Sequence, residues 1–168
     1  IFELKKKAIS PVREIKNKSL VTIYLDFGDG FSEENTIKKQ VFLSDDGILN
    51  IDLDQNLDGV LNIRVDLLER PFEMTLLGVT VNSEDYKNHI QHNGIRVGER
   101  VLFDSFDPWM MFDAREISVC QISIKYSGFK CLSYKDLAFA NGFRKEEAAR
   151  LKEEAARLKE EAAILKYS

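Results

Sequence analysis

Apolar side chains recur at every second position in short runs as far as Cys131, and at spacings of three, four and seven beyond it. Period two is the mark of a strand with one buried face. The run LVTIYLDF, Leu20 to Phe27, mixes β-branched and aromatic residues and breaks at Gly28-Asp29-Gly30, as strands do at their ends. Comparable runs follow from Thr36 to Leu43, Gly47 to Leu53, Gly59 to Leu68, Phe72 to Asn82, Ile95 to Phe103 and Glu116 to Ser127. Asp46-Gly47, Asp58-Gly59 and Asn93-Gly94 stand between them, pairs that supply the positive φ of tight hairpins. Short strands with this punctuation predict an all-β sandwich.

Within the runs the alternation assigns faces. Leu49, Ile51 and Leu53 fall on one side of their strand, and Ile48, Asn50, Asp52 and Asp54 on the other. From Glu116 to Ser127 the apolar set changes sides, which predicts a bulge near the middle of that strand. After Cys131 the period becomes helical. Ser133 can cap a helix whose third position is Asp136, facing the positive end of the dipole. Asn141-Gly142 is then expected to end or kink that short helix before a second one begins. The expected organisation is a leader over residues 1–18, a β-sandwich module over 19–132, a short helix and joint over 133–142, and a heptad-repeat helix over 143–168.

The repeat EEAARLK occupies Glu146 to Lys152 and again Glu153 to Lys159, then returns as EEAAILK. Ala148, Ala155 and Ala162 fall at heptad position a, with Leu151, Leu158 and Leu165 at d. Lysines 152, 159 and 166 fall at e and glutamates 147, 154 and 161 at g. This is the pattern of a coiled-coil seam flanked by charge, which makes further copies of the chain, in a dimer, trimer or higher oligomer, the expected partner. Glu146 with Arg150 and Glu153 with Arg157 are also spaced for pairing within one helix. A single solvated helix acting as a spacer, or an engineered extension, are the competing readings.

Composition narrows the function. With 168 residues, 44% of them hydrophobic, the chain suits one core and an appendage. A net charge of −4 disfavours a surface for nucleic acid or anionic lipid. No run approaches the roughly 20 apolar residues of a membrane-spanning helix, and the N-terminus does not read as a secretory signal. Cys120 and Cys131 form no CxxC pair and read as reduced thiols. A start at Ile1 and a stop within the heptads suggest a segment of a longer protein.

Candidate chemistry is sparse. FDSFDPWMMFDA, Phe103 to Ala114, holds the only tryptophan beside Asp104, Asp107 and Asp113. Sugar rings present apolar C–H faces and hydroxyls, so an indole with neighbouring carboxylates can form a glycan contact. The same aromatics can equally plug the edge of a sandwich. Asp26 and Asp29, with Glu33 and Glu34, offer oxygens for a structural calcium ion, although the spacing is not that of an EF-hand, and a simple turn competes. His89 and His92 have helical-turn spacing but lack a third zinc ligand and read as loop residues. No nucleophile with a base at readable spacing is evident, so this chain is expected to be noncatalytic and to need no cofactor. Arg64 and Asp66 lie on one strand face and read as an ion pair more readily than as a sugar grip.

Three segments carry a resemblance: IYLDFGDGFSEENTI (Ile23 to Ile37), LNIRVDLLERP (Leu61 to Pro71) and DSFDPWMMF (Asp104 to Phe112). Together they resemble the β-sandwich modules of bacterial glycosyltransferases that build surface polysaccharides of the O-antigen and rhamnan type. The match spans Leu20 to Leu132, and departs from the pattern at Leu67, where the family often has proline. It implies a jelly-roll or galactose-binding-like fold, carbohydrate binding or positioning of a polymerase, and a cytoplasmic parent enzyme peripheral to the inner membrane. Such modules can adjoin coiled coils that set oligomeric state or polymer length. Trp109, Tyr24 and Asp107 are then the leading glycan contacts. The rival is a purely structural oligomerisation and spacer module.

Overall fold

A computed structural model describes residues 18–167. The expected leader, Lys18 apart, lies outside the described residues. The chain divides into two compact units between Cys131 and Leu132.

The first unit is mostly β, in two antiparallel sheets. Its strands are β1 (Lys18–Asp26), β2 (Thr36–Phe42), β3 (Gly47–Leu57), β4 (Asn62–Asp66), β5 (Phe72–Val81), β6 (Glu84–Asp85), β7 (Ile90–His92), β8 (Ile95–Val97), β9 (Arg100–Phe103), β10 (Met110–Asp113) and β11 (Val119–Cys131). One sheet runs β2-β1-β4-β10-β7 and the other β3-β11-β5-β9-β8, with β6 paired to β5. Both sheets feed one apolar cluster. Val21, Ile23, Ile63, Val65 and Phe112 enter it from the first sheet, and Ile51, Phe72, Phe103, Ile122 and Ile124 from the second. Phe72 stacks on Phe103 with ring centroids 4.7 Å apart. Each buried aliphatic or aromatic side chain in such a cluster contributes about 1.5–3 kcal/mol through removal from water.

Every run read as a strand forms one. Ile95 to Phe103 is divided at Gly98 into the β8–β9 hairpin. Three strands lie outside those runs: β6, β7, whose residues read as loop, and β10, whose residues read as either an edge plug or a ligand contact. Strand β10 alternates instead: Met110 and Phe112 are buried while Met111 and Asp113 face outward. The Asp-Gly and Asn-Gly pairs do not act alike. Gly59 adopts φ +76°, as expected. Gly94 has no positive φ and is required for space, since a Cβ there would lie 2.7 Å from Val101 Cγ1 and 3.0 Å from the Leu102 carbonyl oxygen.

Strand β11 shifts register against β5 between Lys125 and Tyr126 and between Ser127 and Lys130, and against β3 it bulges between Val119 and Gln121, where the apolar set changes sides as expected. Asn82 fills it. Its Oδ1 accepts the N–H groups of Cys120 (2.9 Å) and Gln121 (3.2 Å), and its Nδ2 donates to the Ser118 carbonyl at 2.6 Å. Amides freed by the register shift are thus satisfied. Asn82 itself has φ +51° and begins, with Ser83, the turn from β5 to β6; asparagine tolerates that region better than most side chains.

The second unit is one helix, α1 (Tyr134–Tyr167), 34 residues long, or about 50 Å at 1.5 Å per residue. Ser133 Oγ accepts from the Asp136 N–H at 3.2 Å, and the Asp136 carboxylate accepts from the Ser133 N–H at 3.0 Å, a reciprocal cap. Asn141-Gly142, expected to end or kink a short helix, does not end it: α1 runs through the pair without a break. Glycine costs about 1 kcal/mol relative to alanine in a helix, too little to interrupt a ladder continued by alanine, glutamate, leucine and lysine on its C-terminal side. Arg150 pairs with Glu147 and with Glu154, and Arg157 with Glu161 at 3.8 Å, in place of the expected Glu146 and Glu153.

Because Asn82 both satisfies the bulge and occupies a positive φ, Asn82→Ala should destabilise the fold by about 2–4 kcal/mol in denaturant titration. Asn82→Gly should recover about 1 kcal/mol of that loss by relieving the φ strain alone. Equal losses in the two variants would contradict the assignment.

Candidate functional site

The site lies on the outer face of the five-stranded sheet. Alternation in β4 sends Ile63 and Val65 into the core, so Asn62, Arg64 and Asp66 line up on the opposite face, where Asp66 is covered and buried. Antiparallel register puts Tyr24 of β1 opposite Arg64 on one side and Met111 of β10 opposite it on the other. Thr22 stands opposite Asp66, and Asp26 opposite Asn62.

Arg64 is the hub. Its Nε donates to Asp66 Oδ1 at 2.7 Å and its Nη2 donates to Asp66 Oδ2 at 2.8 Å, a bidentate pair. Nη2 also donates to Asp107 Oδ1 at 2.8 Å. The guanidinium carbon lies 5.2 Å from the Tyr24 ring centroid and 5.9 Å from that of Trp109, within cation–π range. Tyr24 OH donates to Glu33 Oε1 at 3.2 Å. The three residues expected as glycan contacts, Tyr24, Asp107 and Trp109, are therefore brought together around Arg64.

Backbone contacts fix the Asp107-Pro108-Trp109 turn. Asn93 Nδ2 donates to the Asp107 carbonyl at 2.8 Å, and Asn93 Oδ1 accepts from the Trp109 N–H at 2.9 Å. The Asp107 N–H donates to Ser105 Oγ at 2.9 Å. Of the aromatic run, Phe103, Met110 and Phe112 are core, Trp109 and Met111 are half-buried, and Phe106 is 72% exposed. The run thus divides between core and surface.

Charge at the site leans negative, with one guanidinium among Asp66, Asp107 and Glu33. Burial is the largest influence on Asp66 and raises its carboxyl above the ordinary range, against the bonds from Arg64 and with repulsion from Asp107 and Glu69. Burial opposes the charge of Arg64, yet its bonds to Asp66 and Asp107 outweigh that and hold its pKa above the usual value. Burial and then Glu33 raise the Tyr24 phenol, so it stays protonated and able to donate.

Asp26 and Asp29 carry two readings, oxygens for calcium or a turn, and the hydrogen bonds here are those of a turn. Asp26 Oδ1 accepts the N–H groups of Gly28 (2.8 Å) and Gly30 (2.9 Å), and Oδ2 accepts from Asn62 Nδ2 at 3.1 Å. The Gly28 amide, then Asn62, hold its carboxyl below the usual range. Asp26 is thus the acceptor that closes the turn, with Asp29 exposed beyond it. Among the described residues no three His, Cys, Asp or Glu side chains gather to hold a metal.

His89 and His92 also serve separately. His89 is exposed and meets Tyr86 edge-on at 5.6 Å, whereas His92 packs edge-on against Phe103 at 5.7 Å and accepts the Gly94 N–H on Nδ1. Burial, then the charge of Arg96, lowers the pKa of His92. The predicted seam residues Ala148, Leu151, Ala155, Leu158, Ala162 and Leu165 are all exposed on α1.

Sequence reasoning missed the hub role of Arg64 and the parts of Glu33 and Asn93. Arg64 and Asp107 are 43 positions apart, and only strand register unites them. The Asn93-Gly94 pair did signal a turn, but not that the asparagine would clamp another loop. No protein-family model, curated protein or solved structure matches the chain.

Removing the guanidinium leaves Asp66 buried and unpaired, so Arg64→Met should cost about 1–3 kcal/mol at pH 7. The loss should shrink as the pH is lowered, because protonating Asp66 removes the unpaired charge. Arg64→Lys should lose less. A loss that did not vary with pH between 7 and 4 would contradict this account.

A depressed His92 pKa means the unfolded chain binds a proton first. Its contribution to stability is full above the ordinary histidine value of 6.5 and falls as pH drops below it. His92→Gln should flatten that part of the stability–pH curve measured by denaturant titration.

Proposed function

We propose that this chain is a noncatalytic, carbohydrate-binding-like module of a bacterial surface-polysaccharide glycosyltransferase. In this reading the two sheets form a jelly-roll or galactose-binding-like sandwich whose outer face holds glycan. The helix is a coiled coil that oligomerises the enzyme or spaces its parts, with a bearing on polymer length. The parent enzyme is cytoplasmic and peripheral to the inner membrane. No helix among the described residues is long and apolar enough to cross a membrane.

The observation that carries the glycan reading is the convergence of Tyr24, Asp107 and Trp109 on one exposed sheet face. Two half-buried aromatics can meet sugar C–H faces, while the Asp107 side chain, 73% exposed, can accept from hydroxyls. Sites of this kind combine apolar platforms with a few oriented polar groups.

A second reading has its own observation. Arg64 already lies over both rings and spends donors on Asp66 and Asp107, so the cluster can be a self-satisfied structural clasp. The chain is then an oligomerisation and spacer module that binds no sugar.

Titration of the full chain with bacterial surface polysaccharide, followed by amide resonances, separates the readings. Glycan binding should shift residues around Tyr24, Asp107 and Trp109 at millimolar sugar, and Trp109→Ala should abolish those shifts while retaining the fold. No shift in the wild type, combined with a lowered unfolding midpoint for Trp109→Ala, would favour the structural clasp.

A further inference from the structure

From the edges of α1 we infer that the helix associates with a second copy of itself in parallel and in register. This rests on the coiled-coil reading above and adds its direction. The d-position leucines Leu151 and Leu158 are each 52% exposed, flanked by alanines whose small side chains let two helices approach closely. What covers such a stripe is decided by the charges on its two borders.

The borders are of opposite sign along their whole length. Glutamates 147, 154 and 161 line one, and lysines 152, 159 and 166 the other. Within the helix Arg150 pairs with Glu147 and Glu154, and Arg157 with Glu161. Among the described residues no salt bridge within the chain engages the three lysines.

Orientation follows from which border meets which. In a parallel pair a g position faces the following e position of the other helix. Glu147 then meets Lys152 of the second copy, Glu154 meets Lys159 and Glu161 meets Lys166, and the two-fold axis repeats every pair. In an antiparallel pair g faces g and e faces e, setting glutamate against glutamate and lysine against lysine. A stagger of one heptad in the parallel pair leaves one rung of the six without its partner, on one side only, because Lys145 continues the lysine border toward the N-terminus. Alanine and leucine alone permit both directions; the charges select one.

Spin labels on the full chain read the geometry directly. Cys120 and Cys131 are replaced by alanine, and single cysteines are placed at Glu146→Cys or Tyr167→Cys, both outside the stripe and its borders. A parallel, in-register pair gives the same short label separation at both sites. An antiparallel pair separates the labels along the axis by roughly 30 Å at either site, and that result would overturn the inference while leaving a coiled coil in place. A staggered parallel pair, with one offset at both sites, would overturn the register in the same way.

A second measurement retains the native cysteines. Replacing Lys152, Lys159 and Lys166 with glutamate should weaken self-association by roughly tenfold or more in sedimentation equilibrium, and mixing with the chain carrying lysine at 147, 154 and 161 should restore it. Unchanged self-association would reject the parallel arrangement. A wild-type chain that stays monomeric at millimolar concentration would reject both the coiled coil and its direction.

Discussion

The alternation of β4 is the constraint on which the outer face depends. Ile63 and Val65 are almost completely buried, and the two-residue period of a strand leaves Arg64 and Asp66 no place but the opposite side. A slip of one residue would drive a guanidinium and a carboxylate into the core and expose two aliphatic side chains. The cohesion of the interior therefore fixes the surface chemistry. Because β4 lies between β1 and β10, the same register also sets the distance from Arg64 to Tyr24 and to the turn that carries Trp109.

Around that hub, stability and recognition draw on the same atoms. The bidentate contact to Asp66 compensates a buried carboxylate, and the contact to Asp107 pins a loop that is otherwise solvated. The Tyr24 and Trp109 rings both lie within cation–π range of the guanidinium. A glycan placed here would meet an arrangement already ordered, so little side-chain freedom would be lost on binding. The clasp reading and the glycan reading thus differ in what lies above the cluster, and agree on its internal geometry.

Much of the fold was legible along the chain. Leu49, Ile51 and Leu53 announced the buried face of β3, and Ser133 with Asp136 announced the start of α1, because both signals are local. Short elements were less so. Ile90–His92 offers a single apolar residue, too little for a period, and becomes a strand only because β10 is beside it. The register shift of β11 against β3 was visible as a change of sides, but the side chain that satisfies its amides, Asn82, lies 38 residues away from Cys120. Tyr24, Asp107 and Trp109 could be chosen by residue type, yet Arg64 as their common neighbour emerged only from strand pairing. At Asp26, composition pointed to a cation, whereas the local amides made the carboxylate an acceptor.

Continuity through Asn141-Gly142 makes α1 a single screw. Each residue advances the azimuth by about 100°, so the bearing of the leucine row is tied, residue by residue, to the cap at Ser133. One added residue before the repeat would swing that row by more than a quarter turn, whereas seven would return it nearly to its original bearing and extend it by about 10 Å. Reach and azimuth are thereby decoupled in steps of one repeat, which gives duplication of EEAARLK a simple geometric meaning: it lengthens the rod while preserving its aim.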